Sequence, residues 1–232
     1  MVGIAKGILA GIFIGLAAIV NLNCSNPVIG SLLFGFGLFI ICMYQFKLYT
    51  GIVGYFPTIE NTTVARTSFV VDCLITWVCN FIGTAIVGGL YRFTVASANI
   101  LPKVQNMVEA KVNSDITSLF ILGIFCGMLM FLAVSTYKAD VVPIIGITTL
   151  FLCVSIFILS GFEHSIADMA YLCLANQVNH VSIFKVLIPV TLGNAVGGIG
   201  LCAAIKYSQK VPQQQVSQDS IPETTSEDKK ED

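Results

Sequence analysis

One short segment gathers three ionisable side chains between long apolar runs: Gly161-Phe-Glu-His-Ser-Ile-Ala-Asp168 carries Glu163, His164 and Asp168. Histidine exchanges a proton near neutral pH, and a carboxylate beside it can fix its tautomer or stabilise its cation. Two chemistries are open. One is proton-linked passage of a solute past His164; the other is a membrane-embedded enzyme using Glu163, His164 and Asp168. An enzyme would need a nucleophile or a metal constellation, and no second histidine or cysteine cluster completes a metal site around the i, i+4 pair. No metal or cofactor is expected. An ionisable residue amid so much apolar sequence is a functional candidate by default.

The 232 residues are 56% hydrophobic and 11% charged, with a mean hydropathy of +0.86. Soluble domains sit near about 45–50% and 25%. This chain therefore belongs in a bilayer, and a soluble enzyme is excluded. Up to Ile205 the body holds eight basic and seven acidic residues. That balance leaves no face for nucleic acid and no strongly charged patch for lipid headgroups. The eight cysteines stand singly along the chain, without metal-ligand spacing, as small hydrophobes.

A helix needs about 20 apolar residues to cross a hydrocarbon core, so the intervals between charges mark the spans. Lys6 to Lys47 holds two, divided at the turn-forming run Asn21 to Pro27. Asp72–Arg92, Asp115–Lys138, Asp140–Glu163 and Lys185–Lys206 enclose the third to sixth. Six crossings put both termini on one side. Lys6, Arg66, Lys138, Lys206 and Lys210 gather there, against Lys103, Lys111 and Lys185 opposite, which places both ends in the cytoplasm of a cell-membrane protein. The channel domain is read as 1–207. Residues 208–232, rich in Gln, Ser, Glu and Lys, are expected to be a disordered polar cytoplasmic tail.

Internal repeats organise the spans. Gly11-Ile-Phe-Ile-Gly15 returns as Gly123-Ile-Phe-Cys-Gly127, an offset of 112, and Asn80-x-x-Gly83 returns as Asn194-x-x-Gly197, an offset of 114. Three spans is an odd number, so the second half must enter the membrane inverted. The expected fold is an all-α membrane protein: six transmembrane helices in two inverted three-helix repeats. Spans two and five, partners under this repeat, are both interrupted, at Lys47-Leu-Tyr-Thr-Gly51 and at Ser160 to Asp168. Broken helices at matching places point to a midplane site. Adding 114 to Thr50 gives His164, and the pathway is expected between them.

At these motifs the sequence resembles the formate–nitrite transporters, pentameric channels with an aquaporin-like fold. Gly161-Phe-Glu-His-Ser-Ile-Ala-Asp-Met169 resembles that family's fifth-helix signature, Ile188-Pro-Val-Thr-Leu-Gly-Asn-Ala-Val-Gly-Gly198 its sixth, and Leu48-Tyr-Thr-Gly51 its second-helix break. The likeness covers roughly residues 8 to 207. It implies a homopentamer with His164 as the central pore histidine, Thr50 facing it, and Asn194 hydrogen-bonding nearby. It implies constrictions at Phe34 and Leu38 on one side and Phe157 on the other, with Lys111 in the extracellular vestibule. Implied substrates are small monovalent anions: formate, nitrite, hydrosulfide, acetate or lactate. An apolar constriction taxes a bare anion far more than its neutral acid, so proton linkage through His164 is expected.

Two positions depart from the family. Lys47 stands where an acidic residue is usual, and Asp168 where Asn is usual. If the two breaks meet, Lys47 and Asp168 could form an ion pair that neither would sustain alone. An aquaporin-like neutral-solute channel would share the inverted plan but calls for two Asn-Pro-Ala-type caps, and Asn26-Pro27-Val28 is the one approximation.

Overall fold

A computed structural model describes residues 2–139, 142–175 and 180–219. All the described regular structure is helical. The first helix, α1 (Val2–Asn23), ends at the expected turn, where Asn26 caps α2 (Pro27–Met43). The Asn26 side chain accepts from the amides of Val28 at 2.9 Å and Ile29 at 3.2 Å, and Pro27 supplies a preset φ at the first helical position. After a non-helical segment come α3 (Tyr49–Ile52) and a 3-10 turn (Val53–Thr58). Next is α4 (Thr63–Arg92), which begins nine residues before the interval the charges marked and so carries Arg66 and Asp72 inside the helix.

Charge spacing gave no hint of α5 (Ser97–Asn113), an amphipathic helix that buries Ile100, Val104 and Val108 at i, i+4 and i+8. Then follow α6 (Ile116–Lys138), α7 (Pro143–Leu159), α8 (Ser165–Leu174) and α9 (His180–Asp219). Four segments, in α1, α4, α6 and α9, are long and apolar enough to cross a membrane; α2, α7 and α8 are shorter apolar helices. Because extending a helix is easier than nucleating one, α9 runs on through 208–219, the first part of the expected tail. Residues 220–232 lie outside the described residues.

The two halves match element by element. The helices α2 and α7 each have 17 residues and begin with Pro, at 27 and 143, and each is followed by five non-helical residues before α3 or α8. These boundaries give an offset of 116, not 112 or 114. The discrepancy in the first span is one helical turn. Glycines recur every four residues along α1, so a match shifted by four lies on the same helix face. The packing sets the register: a Cβ on Gly11 would stand 2.1 Å from the Asn80 carbonyl oxygen, and one on Gly127 2.2 Å from that of Asn194. Gly11 is therefore the counterpart of Gly127. Glycine is required at both because the helix backbones touch there.

Contacts follow the same plan, with an exchange. α1 packs on α4 and α6 on α9, but α8 of the second half lies against α4 and α1, while α3 and its 3-10 turn lie against α6 and α9. Polar side chains collect at the centre: Thr50, Asn80, Thr84, Glu163, His164, Ser165, Asp168 and Asn194 are all buried. Large apolar side chains such as Leu74, Leu90, Leu152 and Ile188 face outward, as a surface for hydrocarbon or a second copy would.

Candidate functional site

Two non-helical segments, 44–48 and 160–164, meet the centre of the molecule. In the second, Gly161 takes φ +67°, the left-handed conformation that lets α7 end and the chain turn back. Burying such segments leaves backbone groups without helical partners, and one asparagine serves each. The Asn194 amide donates to the carbonyls of Gly123 and Glu163, both at 2.8 Å, and accepts from the Ser165 amide at 2.9 Å. The Asn80 amide does the same for Gly7 and Lys47, both at 2.8 Å, and for Tyr49 at 2.9 Å. In this register Leu48, not Thr50, corresponds to His164. Asn194, expected beside the pore, spends both of its N–H groups and its oxygen on backbone and acts through the segment it holds.

His164 is the N-cap of α8. Its Nδ1 accepts from the Ala167 amide at 3.0 Å. A backbone N–H can only donate, so Nδ1 is unprotonated and the neutral ring carries its proton on Nε2, 2.8 Å from Thr50 Oγ1. The expected His164–Thr50 meeting is thus a hydrogen bond donated by the ring. Charging the ring would break the cap and set a cation at the positive end of a helix. Phe157 stacks on the His164 ring with centroids 5.5 Å apart, and Phe34 stands edge-on to Phe157 at 6.0 Å and 90°. Phe34 therefore sits with Phe157 rather than on the opposite side with Leu38.

Two cavities approach the His164–Thr50 pair, one reaching Leu48 and Gly51 near Thr50 in the chain and the other lined by His164 itself. One, of about 630 Å³, is lined by Leu38, Gln45, Lys47, Gly51, Tyr137 and Lys138, among others. The other, of about 170 Å³, is lined by Lys111, Phe157, Glu163, His164, Asp168 and Tyr171, among others. The expected vestibule lysine is present, but not as a free cation. The Lys111 ammonium contacts Glu163 Oε2 and lies 3.0 Å from Asp168 Oδ1. Burial works against its charge, yet the pull of Asp168 and then of Glu163 outweighs burial and raises its pKa above the ordinary lysine value. Glu163 therefore serves Lys111, and the tautomer of His164 is set by Ala167.

The expected Lys47–Asp168 pair does not form. Lys47 Nζ instead contacts both carboxylate oxygens of Asp72, at 2.6 and 2.8 Å, and Asp168 belongs to Lys111 on the far side of His164. The reason is geometric: α4 starts early enough to bring Asp72 alongside the first non-helical segment, and α5 delivers Lys111 to the second. Neither helix extent was legible from charge intervals. The signal for α5 was the four-residue spacing of Ile100, Val104 and Val108. No group of three potential metal ligands occurs among the described residues.

A capped histidine approached by two cavities, in an apolar helical body with aromatic rings against it, defines a membrane transport protein rather than an enzyme. The comparisons agree. The family model described as formate/nitrite transporter matches residues 2–208, and the chain belongs to that family. It is 26% identical over 211 residues to the nitrite transporter NirC of Salmonella typhimurium, covering 82% of this chain and 77% of that one. It is 24% identical over 208 residues to the formate channel FocA of Haemophilus influenzae, covering 78% and 72%. Among solved structures, a pentameric formate channel with formate bound shares the fold, with a TM-score of 0.77 at 24% identity over 90% of this chain and 96% of that one.

Proposed function

We propose that the protein is a homopentameric channel or transporter of the cell membrane, with one pore per protomer, for small monovalent anions of the size of formate, nitrite, hydrosulfide, acetate or lactate. In this reading each of the helix pairs α2–α3 and α7–α8 forms one interrupted crossing, so the two halves are inverted, both termini are cytoplasmic and 1–207 is the channel domain, followed by a polar tail. The His164–Thr50 hydrogen bond, approached by two cavities, carries the reading. The pore runs from the larger cavity past Leu38, through His164 and Thr50, and past Phe157 and Phe34 to the smaller one.

Apolar surface at this point favours passage of the neutral acid. The anion takes its proton from water at the vestibule. His164 contributes as a neutral donor: Nε2–H leaves Thr50 Oγ1, binds the passing oxygen and returns. Proton linkage thus runs through the histidine as a hydrogen-bonding station. The relatives' names support the anion, and the solved pentameric channel supports the assembly.

The test is uptake of these five anions into proteoliposomes at about pH 5.5 and about pH 7.5, with His164→Phe in parallel. Acid-stimulated uptake that falls at least about tenfold in the variant is expected, the equivalent of about 1.4 kcal/mol of lost donor stabilisation. Passage of water or glycerol without any anion flux would overturn the reading in favour of a neutral-solute channel.

A further inference from the structure

Asp168 is 1% exposed, and its Oδ2 has no hydrogen-bond partner. Its other oxygen shares the Lys111 ammonium with Glu163, so one positive charge faces two negative ones in a cavity of about 170 Å³ that His164 also lines. The titratable groups around it are Lys111 on α5, Glu163 and His164 in the segment before α8, Tyr171 and Cys173 on α8, and Cys126 on α6. The other helices packed on α8 bring the uncharged Asn21 of α1, Thr50 of α3, Thr84 of α4 and Asn194 of α9, and the charged Arg92 of α4 acts on Cys173.

We propose that Asp168 is a proton-binding site at the mouth of the pore, and that an anion enters the small cavity when that proton is bound. The inference rests on the anion-transport reading and adds the group that sets its pH response. Fully ionised, Lys111, Glu163 and Asp168 carry one net negative charge, which repels an anion at close quarters where screening is weak. One added proton brings the cluster to neutrality. Lys111 holds one oxygen of each carboxylate, and of this cluster's oxygens Asp168 Oδ2 is the one buried without a partner, so the proton is assigned there. There it converts a buried acceptor without a partner into an O–H donor, on a residue that lines the cavity. Loss of the proton restores the repulsion and closes the cavity to anions, with no movement of the backbone.

The experiment measures formate and nitrite uptake into proteoliposomes across a pH series, with wild type and Asp168→Asn. Asparagine is nearly isosteric and keeps a donor without a titrating charge. Where both a substrate proton and the Asp168 proton are needed, uptake falls up to about tenfold more per pH unit than where the substrate proton alone is needed. That excess steepness is expected in wild type and absent from Asp168→Asn. Equal steepness in the two proteins overturns the proposal and leaves the anion reading standing. No anion uptake by wild type at any pH overturns both. A second measurement holds whether or not the variant conducts: the infrared C=O band of a protonated carboxyl should titrate in wild type and be missing from Asp168→Asn. A band unchanged by the substitution refutes the assignment.

Discussion

Replacing Asn194 with leucine, an apolar side chain of similar size, should destabilise the protein rather than retune its selectivity. The substitution removes three hydrogen bonds at once, from the amide to the carbonyls of Gly123 and Glu163 and from Ser165 N–H to the amide oxygen. Side-chain hydrogen bonds between membrane helices average about 0.6 kcal/mol, with a maximum near about 1.7, so three give about 2 to 5 kcal/mol. Orphaned buried backbone groups cost about 1–3 kcal/mol each; the Gly123 carbonyl keeps its bond within α6, so the two orphans, Glu163 C=O and Ser165 N–H, give about 2 to 6 kcal/mol. The two routes overlap at about 2 to 5 kcal/mol, a large part of a typical stability of about 5–15 kcal/mol. Water cannot make up the loss, because Asn194 is 1% exposed. Thermal unfolding of the detergent-purified protein, followed by size-exclusion recovery, measures the effect. Asn80→Leu should behave alike, since it orphans Lys47 C=O and Tyr49 N–H and removes the bond to the Gly7 carbonyl. An Asn194→Leu protein with a wild-type Tm and altered anion preference would refute the argument and return Asn194 to the pore wall.

The remaining expectations concern the Lys47–Asp72 ion pair and the cap of α6. A double-mutant cycle between Lys47→Met and Asp72→Asn should show coupling of no more than about 1 kcal/mol, because both side chains are partly exposed, at 33% and 47%; the same cycle with Asp168→Asn should show none. Asp115 caps α6, and the Ser118 amide lowers its pKa below the ordinary carboxylate value. The folded value lies below the unfolded one, so the cap contributes stability above an unfolded pKa of about 3.9 and loses it as pH falls through the folded value. Asp115→Ala should accordingly lower Tm at neutral pH, and the difference from wild type should close on acidification. A constant difference would show that the charge is not involved.

What the sequence disclosed follows from what the membrane penalises. Charges are costly in hydrocarbon, so the intervals between them located the apolar helices, and the glycine and asparagine pairs disclosed two related halves. His164 and Thr50 were legible because polar groups stand out against apolar runs. The same method was blind where charge is tolerated. Residues 63–71 escape the charge intervals because Arg66 and Asp72 interrupt the apolar pattern, and so does α5, whose face of Ile100, Val104 and Val108 is mixed with lysine and glutamate. Both omissions fell on the ion pairs. With the pairings of Asp72 and Lys111 unseen, Lys47 and Asp168 stand as each other's most plausible partners. The sequence repeat also could not tell Gly7 from Gly11, because on a helix a four-residue slip keeps nearly the same face.

The exchange of interrupted elements between the halves has a consequence for biogenesis. When α4 has been made, the seat that α1 and α4 offer to α8 is still empty, and α8 is not complete until roughly eighty residues later. At synthesis rates of about 5–20 residues per second the wait is about 4 to 16 seconds. Through that interval the first half stands in the bilayer with a gap in its side and with α3 lacking the α6 and α9 surfaces it rests on. Neither half is a finished unit, and each closes the other. A fragment ending after Arg92 should therefore be handled by the cell as an unfinished protein, and the insertion machinery must shelter this one until its second half arrives.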